Sequence, residues 1–198
     1  MASNLFPTNK ILSRQEKEQL LGQKGLVVWM TGLSGSGKTT LAVALEKALY
    51  NQGKLTQVLD GDNIRTGINN NLGFGETDRI ENIRRIAEVS KLFVECGVIT
   101  ICCFISPTNF MRNQAREIIG AENFLEVYVN APLQVCEERD VKGLYAKARR
   151  GDITDFTGIH APFEAPQNPE VELNTGTCIV PAAVEVLLEK IEGKSKSA

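Results

Sequence analysis

Gly32-Leu-Ser-Gly-Ser-Gly-Lys-Thr39 meets every fixed position of the pattern G-x-x-x-x-G-K-[ST], and its surroundings decide how it folds. Leu26-Val-Val-Trp-Met-Thr31 before it is a short apolar, β-rich run, and Thr40-Leu-Ala-Val-Ala-Leu-Glu-Lys-Ala-Leu-Tyr50 after it is helical. The order is therefore strand, glycine loop, helix. Glycines in such a loop let peptide N–H groups turn inward around phosphate oxygens, and the helix N-terminus adds partial positive charge at the same place. Gly32, Leu33, Ser34, Gly35, Ser36, Gly37, Lys38, Thr39 and Thr40 are the nucleotide-binding candidates. Lys38 is expected to reach the β- and γ-phosphates of ATP, and the Thr39 hydroxyl to complete an Mg²⁺ shell.

Composition narrows the setting of that loop. A chain of 198 residues is expected to form a single domain, residues 1–198, able to bury a core without staples. A net charge of −2, with charges spread throughout, argues against a nucleic-acid polymer as partner. No apolar run is long enough to span a bilayer, and the N-terminus lacks a basic-then-apolar leader pattern, so the expected location is cytoplasmic with no membrane partner. Cys96, Cys102, Cys103, Cys136 and Cys178 have no metal-ligand spacing and read as free thiols, mostly buried. His160 is the only histidine, so catalysis is left to Asp, Lys, Arg and backbone.

Outward from the loop, the chain alternates strand and helix. Met1 to Asn9 reads as a loose arm, and Ser13-Arg-Gln-Glu16 as a capping box opening a short helix, which completes an N-terminal segment, residues 1–24. Lys54 to Asp60 reads as the second strand, leaving Asp60 and Asp62 at its carboxyl end, where open α/β sheets place ligands. Asn63 to Gly75 reads as a polar loop and Asp78 to Cys96 as a helix, with Glu81/Arg85 and Arg84/Glu88 as i,i+4 pairs. Arg79 and Asn82 lie near its start and can face back toward the loop. Val98 to Ile105 is a near-continuous apolar strand ending at Ser106-Pro107, followed by a helix over Asn109 to Ile119. Phe124 to Val129 reads as a strand, and Ala131-Pro132 opens a helix to about Arg139. Residues 140–169 are basic and rich in glycine and proline, with little core-forming periodicity, and are expected to be a lid. Thr177 to Val180 is expected to be the last strand, Pro181 to Glu192 the closing helix and residues 193–198 a flexible tail. The fold class is α/β of the P-loop NTPase type: a parallel sheet of about five strands, helices on both faces and a basic lid.

The loop alone does not separate kinases from GTPases or ATPases. The chain has no N-K-x-D string for guanine, and its long apolar strand ends in Ser106 rather than in an acidic run. The acidic pair sits in a D-G-D turn after the second strand, an arrangement suited to holding an acceptor hydroxyl against the γ-phosphate of ATP. Phosphoryl transfer asks a protein mainly for alignment and charge stabilisation, which a closing basic lid supplies while excluding water.

Asp60-Gly-Asp-Asn-Ile-Arg65, Asn71-Leu-Gly-Phe74, Asp78-Arg79 with Glu81-Asn-Ile-Arg-Arg-Ile-Ala-Glu88, Phe104-Ile-Ser-Pro107, Arg139-Asp140 with Lys142-Gly-Leu-Tyr145, and Phe156-Thr-Gly158 closely resemble the adenylylsulfate kinase (APS kinase) family, over most of the chain. The resemblance implies transfer of phosphate from Mg-ATP to the 3′-hydroxyl of adenosine 5′-phosphosulfate, giving 3′-phosphoadenosine 5′-phosphosulfate for sulfate assimilation. It also implies that Phe74 and Phe156 stack on the acceptor's adenine, that Arg65, Arg79 and Lys142 hold its phosphosulfate, and that Asn63, Asn82, Ile105, Ser106 and Thr157 make further substrate contacts. Asp62 is assigned to receive or orient the 3′-hydroxyl proton and Asp60 to reach Mg²⁺ through water, two roles that are open to exchange. The resemblance also places Ser106 among the catalytic candidates, since in some members the matching serine has been proposed to carry a phosphoryl group as an intermediate; with no activating histidine here it is read instead as a substrate hydrogen bond or a helix N-cap. Arg139 and Cys178 match positions near the ATP adenine. Thr108 departs from the family, which often has an aromatic after Ser-Pro. A homodimer and functional coupling to ATP sulfurylase complete what the resemblance implies. Two other readings stand beside it: another P-loop small-molecule kinase, acting on a nucleoside monophosphate or sugar acid, and a non-catalytic nucleotide-binding regulator.

Overall fold

Residues on β1 (Leu26–Thr31) alternate between two cores, and that alternation organises the molecule. Leu26, Val28 and Met30 face one layer with Leu41, Leu45 and Leu187, whereas Val27 and Trp29 face the other with Ile83, Ile86 and Met111. Both faces are therefore covered, as the all-apolar composition of the strand requires. The computed structural model describes residues 6, 8 and 10–197, with side chains through residue 195. The arm expected over Met1 to Asn9 lies, apart from Phe6 and Thr8, outside the described residues.

The sheet has five parallel strands in the order β2-β3-β1-β4-β5: β2 (Thr56–Asp60), β3 (Ile99–Cys103), β1, β4 (Phe124–Asn130) and β5 (Val171–Asn174). In register, Val28 lies beside Ile101 on one side and Leu125 on the other. One face carries α2 (Lys38–Asn51) and α8 (Val180–Ser197), and the other carries α4 (Glu76–Glu95) and α5 (Asn109–Ile119). Trp29 is fully buried, with ring centroids 5.7 Å from Phe104 and 5.6 Å from Phe124. On α1 (Arg14–Leu21), Ser13 and Glu16 form the expected capping box.

Four expectations need correction. Residues 61–66 form a short helix, α3 (Gly61–Thr66), within what reads as turn and polar loop, because the Asp60 side chain caps it by accepting from Asp62 N at 3.0 Å. The last strand is Val171–Asn174 rather than Thr177 to Val180: Val171 and Leu173 alternate inward, while Ile179 is exposed and Val180 opens α8. Helix α8 continues through Ser197 where a flexible tail is expected over 193–198, and Lys194 Nζ anchors it by donating to Phe124 O at 2.6 Å. Residues 140–169 contain α7 (Leu144–Arg149) and a small core of their own, in which Tyr145, Ala148 and Phe156 pack with Ala131 and Cys136. That core escapes periodicity because its members lie far apart in sequence.

Gly25 opens β1 where α4 passes closest: a Cβ there would lie 2.3 Å from the Val94 carbonyl oxygen. Gly25→Ala is expected to destabilise the fold by about 1–3 kcal/mol through overpacking, measured as a lower urea midpoint at unchanged slope.

Candidate active site

The phosphate loop leaves β1 at the place where the sheet's connections diverge, toward β2 on one side and β4 on the other. Gly32 has φ +151°, and a Cβ there would lie 2.4 Å from Val129 O, so only glycine fits beside β4. Side chains from beyond the loop hold its carbonyls. Tyr145 Oη donates to Ser34 O at 2.9 Å, Thr175 Oγ1 to Ser36 O at 2.6 Å, and Arg139 Nη1 to Gly35 O at 3.3 Å. In a trans peptide the N–H opposes the C=O, so pinning these carbonyls turns the N–H groups of Gly35 and Gly37 to the opposite side, while Ser36 N donates within the loop to Leu33 O at 3.2 Å. Tyr145 and Thr175 are thus structural partners of the loop; Tyr145 stands within a family-like motif, and Thr175 carries no sequence signal.

Lys38 is buried, with Nζ 2.9 Å from Gly32 O and 2.7 Å from Leu33 O. Burial lowers its pKa to about 8, assisted by the positive charge of Lys142 and opposed by Asp60 and the nearby thiols. Thr39 Oγ1 donates to Asp60 Oδ2 at 2.9 Å, joining the two expected Mg²⁺ positions. One hydroxyl and one carboxylate fit Mg²⁺, which keeps several waters and takes phosphate oxygens as further ligands. Among the described residues, no group of three or more His, Cys, Asp and Glu offers a denser metal site.

Asp62 stands in the first turn of α3 and forms an ion pair with Lys142 of the expected lid. Arg65 Nη1 donates to Gly73 O at 2.7 Å, and its guanidinium lies 4.4 Å from the centroid of the exposed Phe74 ring. Arg79 Nε donates to Phe74 O at 2.6 Å, Nη1 to Thr157 Oγ1 at 2.5 Å, and Nη2 to Asp155 O. It thereby ties the loop before α4 to the segment carrying Phe156. Burial is the leading cause that lowers the pKa of both arginines. Asn82 is buried and accepts from Asn69 Nδ2 at 2.9 Å; Asn69, fully buried, is a neighbour that sequence reading missed.

Not every expected residue faces the same space. Phe156 packs edge-on against Tyr145, centroids 5.0 Å apart, so it belongs to the small core, while Phe74 is open. Ser106 is buried and does not cap α5; that cap is Thr108, whose hydroxyl accepts from Met111 N, which is what the departure from the family pattern does here. Ile105 is half-buried and its carbonyl accepts from Thr31 Oγ1 at 2.6 Å. Asn63 and Thr40 are exposed beside the aspartates and the loop respectively. Arg139 Nη2 donates to Thr175 O at 2.6 Å, and Cys178 is an exposed thiol beyond the turn after β5. Cys96 is also exposed, whereas Cys102, Cys103 and Cys136 are buried, and all five are free.

A loop of this shape at the carboxyl end of the central strand of a parallel sheet, facing a carboxylate pair and a second, arginine-lined wall, defines a P-loop kinase. The sequence model of the family described as adenylylsulphate kinase matches residues 24–174. The chain belongs to the adenylylsulfate kinase family. An adenylyl-sulfate kinase of Bacteroides fragilis is 60% identical over 188 residues, 94% of this chain and 93% of that protein. One from Clostridium kluyveri is 52% identical over 193 residues, 98% of this chain and 96% of that one. The Mycobacterium tuberculosis APS kinase CysC, solved in complex with AMPPNP and APS, superposes with a TM-score of 0.82 at 43% identity, over 86% of this chain and 99% of that one. No described helix is long and apolar enough to cross a membrane.

The Lys38 pKa predicts a pH effect. Between about 8 and the ordinary 10.5, the unfolded chain binds more protons at Lys38 than the folded one, so stability rises with pH across that window. Measured without nucleotide, Lys38→Met is expected to exceed the wild type in unfolding free energy by on the order of 2–3 kcal/mol at pH 7, with the gap narrowing toward pH 10.

Proposed function

We propose that the protein transfers the γ-phosphate of Mg-ATP to the 3′-hydroxyl of adenosine 5′-phosphosulfate, giving 3′-phosphoadenosine 5′-phosphosulfate. The observation that carries this reading is the junction of two walls: Lys38, Thr39 and Asp60 on the nucleotide side meet Asp62 and Lys142 on the acceptor side, within a chain of this family. Lys38, released from the Gly32 and Leu33 carbonyls, binds the β- and γ-phosphates, while loop N–H groups grip their oxygens. Thr39 and Asp60, the latter through water, would hold Mg²⁺, which would supply charge neutralisation at the phosphates.

On the acceptor side, Phe74 supplies an open aromatic face for the adenine, with Phe156 as its counterpart once the lid segment shifts from Tyr145. Arg65, Arg79 and Lys142 provide the positive charge for the phosphosulfate, and Asn63, Asn82, Ile105, Ser106 and Thr157 the surrounding polar contacts. As Lys142 turns to that anion, Asp62 is left to accept the proton of the 3′-hydroxyl and aim its oxygen at phosphorus. Arg139 and Cys178 border the ATP base. Residues 140–169 act as the lid, and residues 1–198 as one kinase domain. The finer setting belongs to the same proposal: a cytoplasmic homodimer, coupled to the ATP sulfurylase that makes its substrate.

The test offers ATP with adenylylsulfate, AMP, gluconate or shikimate as acceptor and follows ADP release and the phosphorylated product. Transfer to adenylylsulfate alone is expected; equal transfer to another acceptor overturns the reading. Asp62→Ala is expected to leave ATP affinity nearly intact while lowering kcat by roughly 10²–10⁴-fold, and equal loss of both would show that the aspartate is misassigned.

A further inference from the structure

Ser106 has φ +38° although it is not glycine, and it is buried at the carboxyl end of the β3 segment. A left-handed serine is an uncommon and costly conformation that persists where the surroundings over-determine it. Its hydroxyl accepts from the Trp29 indole at 3.2 Å and donates to Thr31 Oγ1 at 3.0 Å. Its carbonyl accepts from Arg112 Nη1 at 2.7 Å.

Arg112 is 2% exposed, and its other two nitrogens are also directed. Nε faces Glu126 Oε1 at 3.0 Å, and Nη2 donates to Asn109 Oδ1 at 2.6 Å and Glu164 O at 2.7 Å. Glu126 is held in turn by Arg116, which also pairs with Glu170 at 2.7 Å. Glu164 returns the contact, its N donating to Pro107 O and its carboxylate accepting from Asn109 N. Burying a guanidinium is expensive, and an apolar side chain would serve a core at least as well. What the guanidinium supplies is a planar fork that fixes several acceptors in one frame.

We propose that Arg112 is a positioning residue for the acceptor pocket: it locks the Ser106 turn in its left-handed form and fastens that turn to the Glu164 end of the lid segment. The two walls that meet the acceptor, Ile105-Ser106 and the segment carrying Lys142, Phe156 and Thr157, are thereby joined at the Glu164 end, about which the rest of that segment shifts. The identity of the acceptor rests on the reading above; the geometry does not.

Trp29 is the only tryptophan, and its indole N–H ends on Ser106, so it reports this turn directly. The experiment compares wild type, Arg112→Lys, Ser106→Gly and the double variant by ¹⁵N–¹H spectra and by steady-state kinetics. Arg112→Lys is expected to shift the Trp29 indole resonance and to raise KM for adenylylsulfate by about tenfold or more, the scale of losing a charged hydrogen bond, with KM for ATP unchanged. In the Ser106→Gly background the same substitution is expected to have much less effect on KM, because glycine keeps φ +38° unaided. An unmoved indole resonance, equal rises in both KM values, or equal effects in the two backgrounds overturns the proposal. Should Arg112→Lys not fold, Arg112→Met with Glu126→Leu removes both charges together, leaves Arg116 with Glu170, and is read by the same criteria. If the wild type fails to phosphorylate adenylylsulfate, the functional reading falls and the indole resonance still decides on Arg112.

Discussion

β1 is hydrogen-bonded to β3 and β4 and covered on both faces, so its carboxyl end is held from four directions. The chain must then turn away within a residue or two, passing so close to Val129 that a side chain at Gly32 would collide. That collision-limited turn forces the following peptides to pack against β4 and the segment after β5, and Ser34, Gly35 and Ser36 give up their carbonyls to Tyr145, Arg139 and Thr175. A loop anchored in this way has the carbonyls of Ser34, Gly35 and Ser36 fixed before any ligand binds. Preorganisation of that kind is the main thing phosphoryl transfer asks of a protein.

The same anchoring joins the two halves of the site. Tyr145 touches the phosphate loop with its hydroxyl and Phe156 with its ring. Arg79 holds Phe74 O on one side and the Asp155–Thr157 backbone and hydroxyl on the other. Lys142 reaches from the segment after α6 (Leu133–Arg139) to Asp62 of α3. Residues 140–169 are thus bound to the nucleotide loop, the aspartate helix and the loop before α4 at once. With its own small core and three such ties, the segment holds Phe156 and Lys142 in one frame beside the phosphate loop.

Charge is distributed with the same economy. Lys38 is the one buried ammonium of the phosphate loop, and burial lowers its pKa while its hydrogen-bond partners are uncharged carbonyls and a hydroxyl. Arg112 is also buried but has a partner at each nitrogen, with Glu126, Ser106, Asn109 and Glu164 around it. The two buried cations differ in their partners: Lys38 leans on neutral carbonyls, and Arg112 is matched by a carboxylate.

Local patterns in the sequence were enough for the phosphate loop, the strand before it, the long helix over α4 and the capping box at Ser13, because each depends on neighbours within a turn or two of chain. The place of Asp60 and Asp62 at the carboxyl end of the second strand was legible for the same reason. Tertiary structure alone decided which of Val171–Asn174 and Thr177–Val180 joins the sheet, since an edge strand needs only one apolar face and Ile179 found no partner. It also decided that Phe156 enters a core, that Thr175 and Tyr145 brace the loop, and that Arg112 stands beneath Ser106. Those outcomes depend on contacts between residues dozens of positions apart, for which spacing along the chain carries no signal.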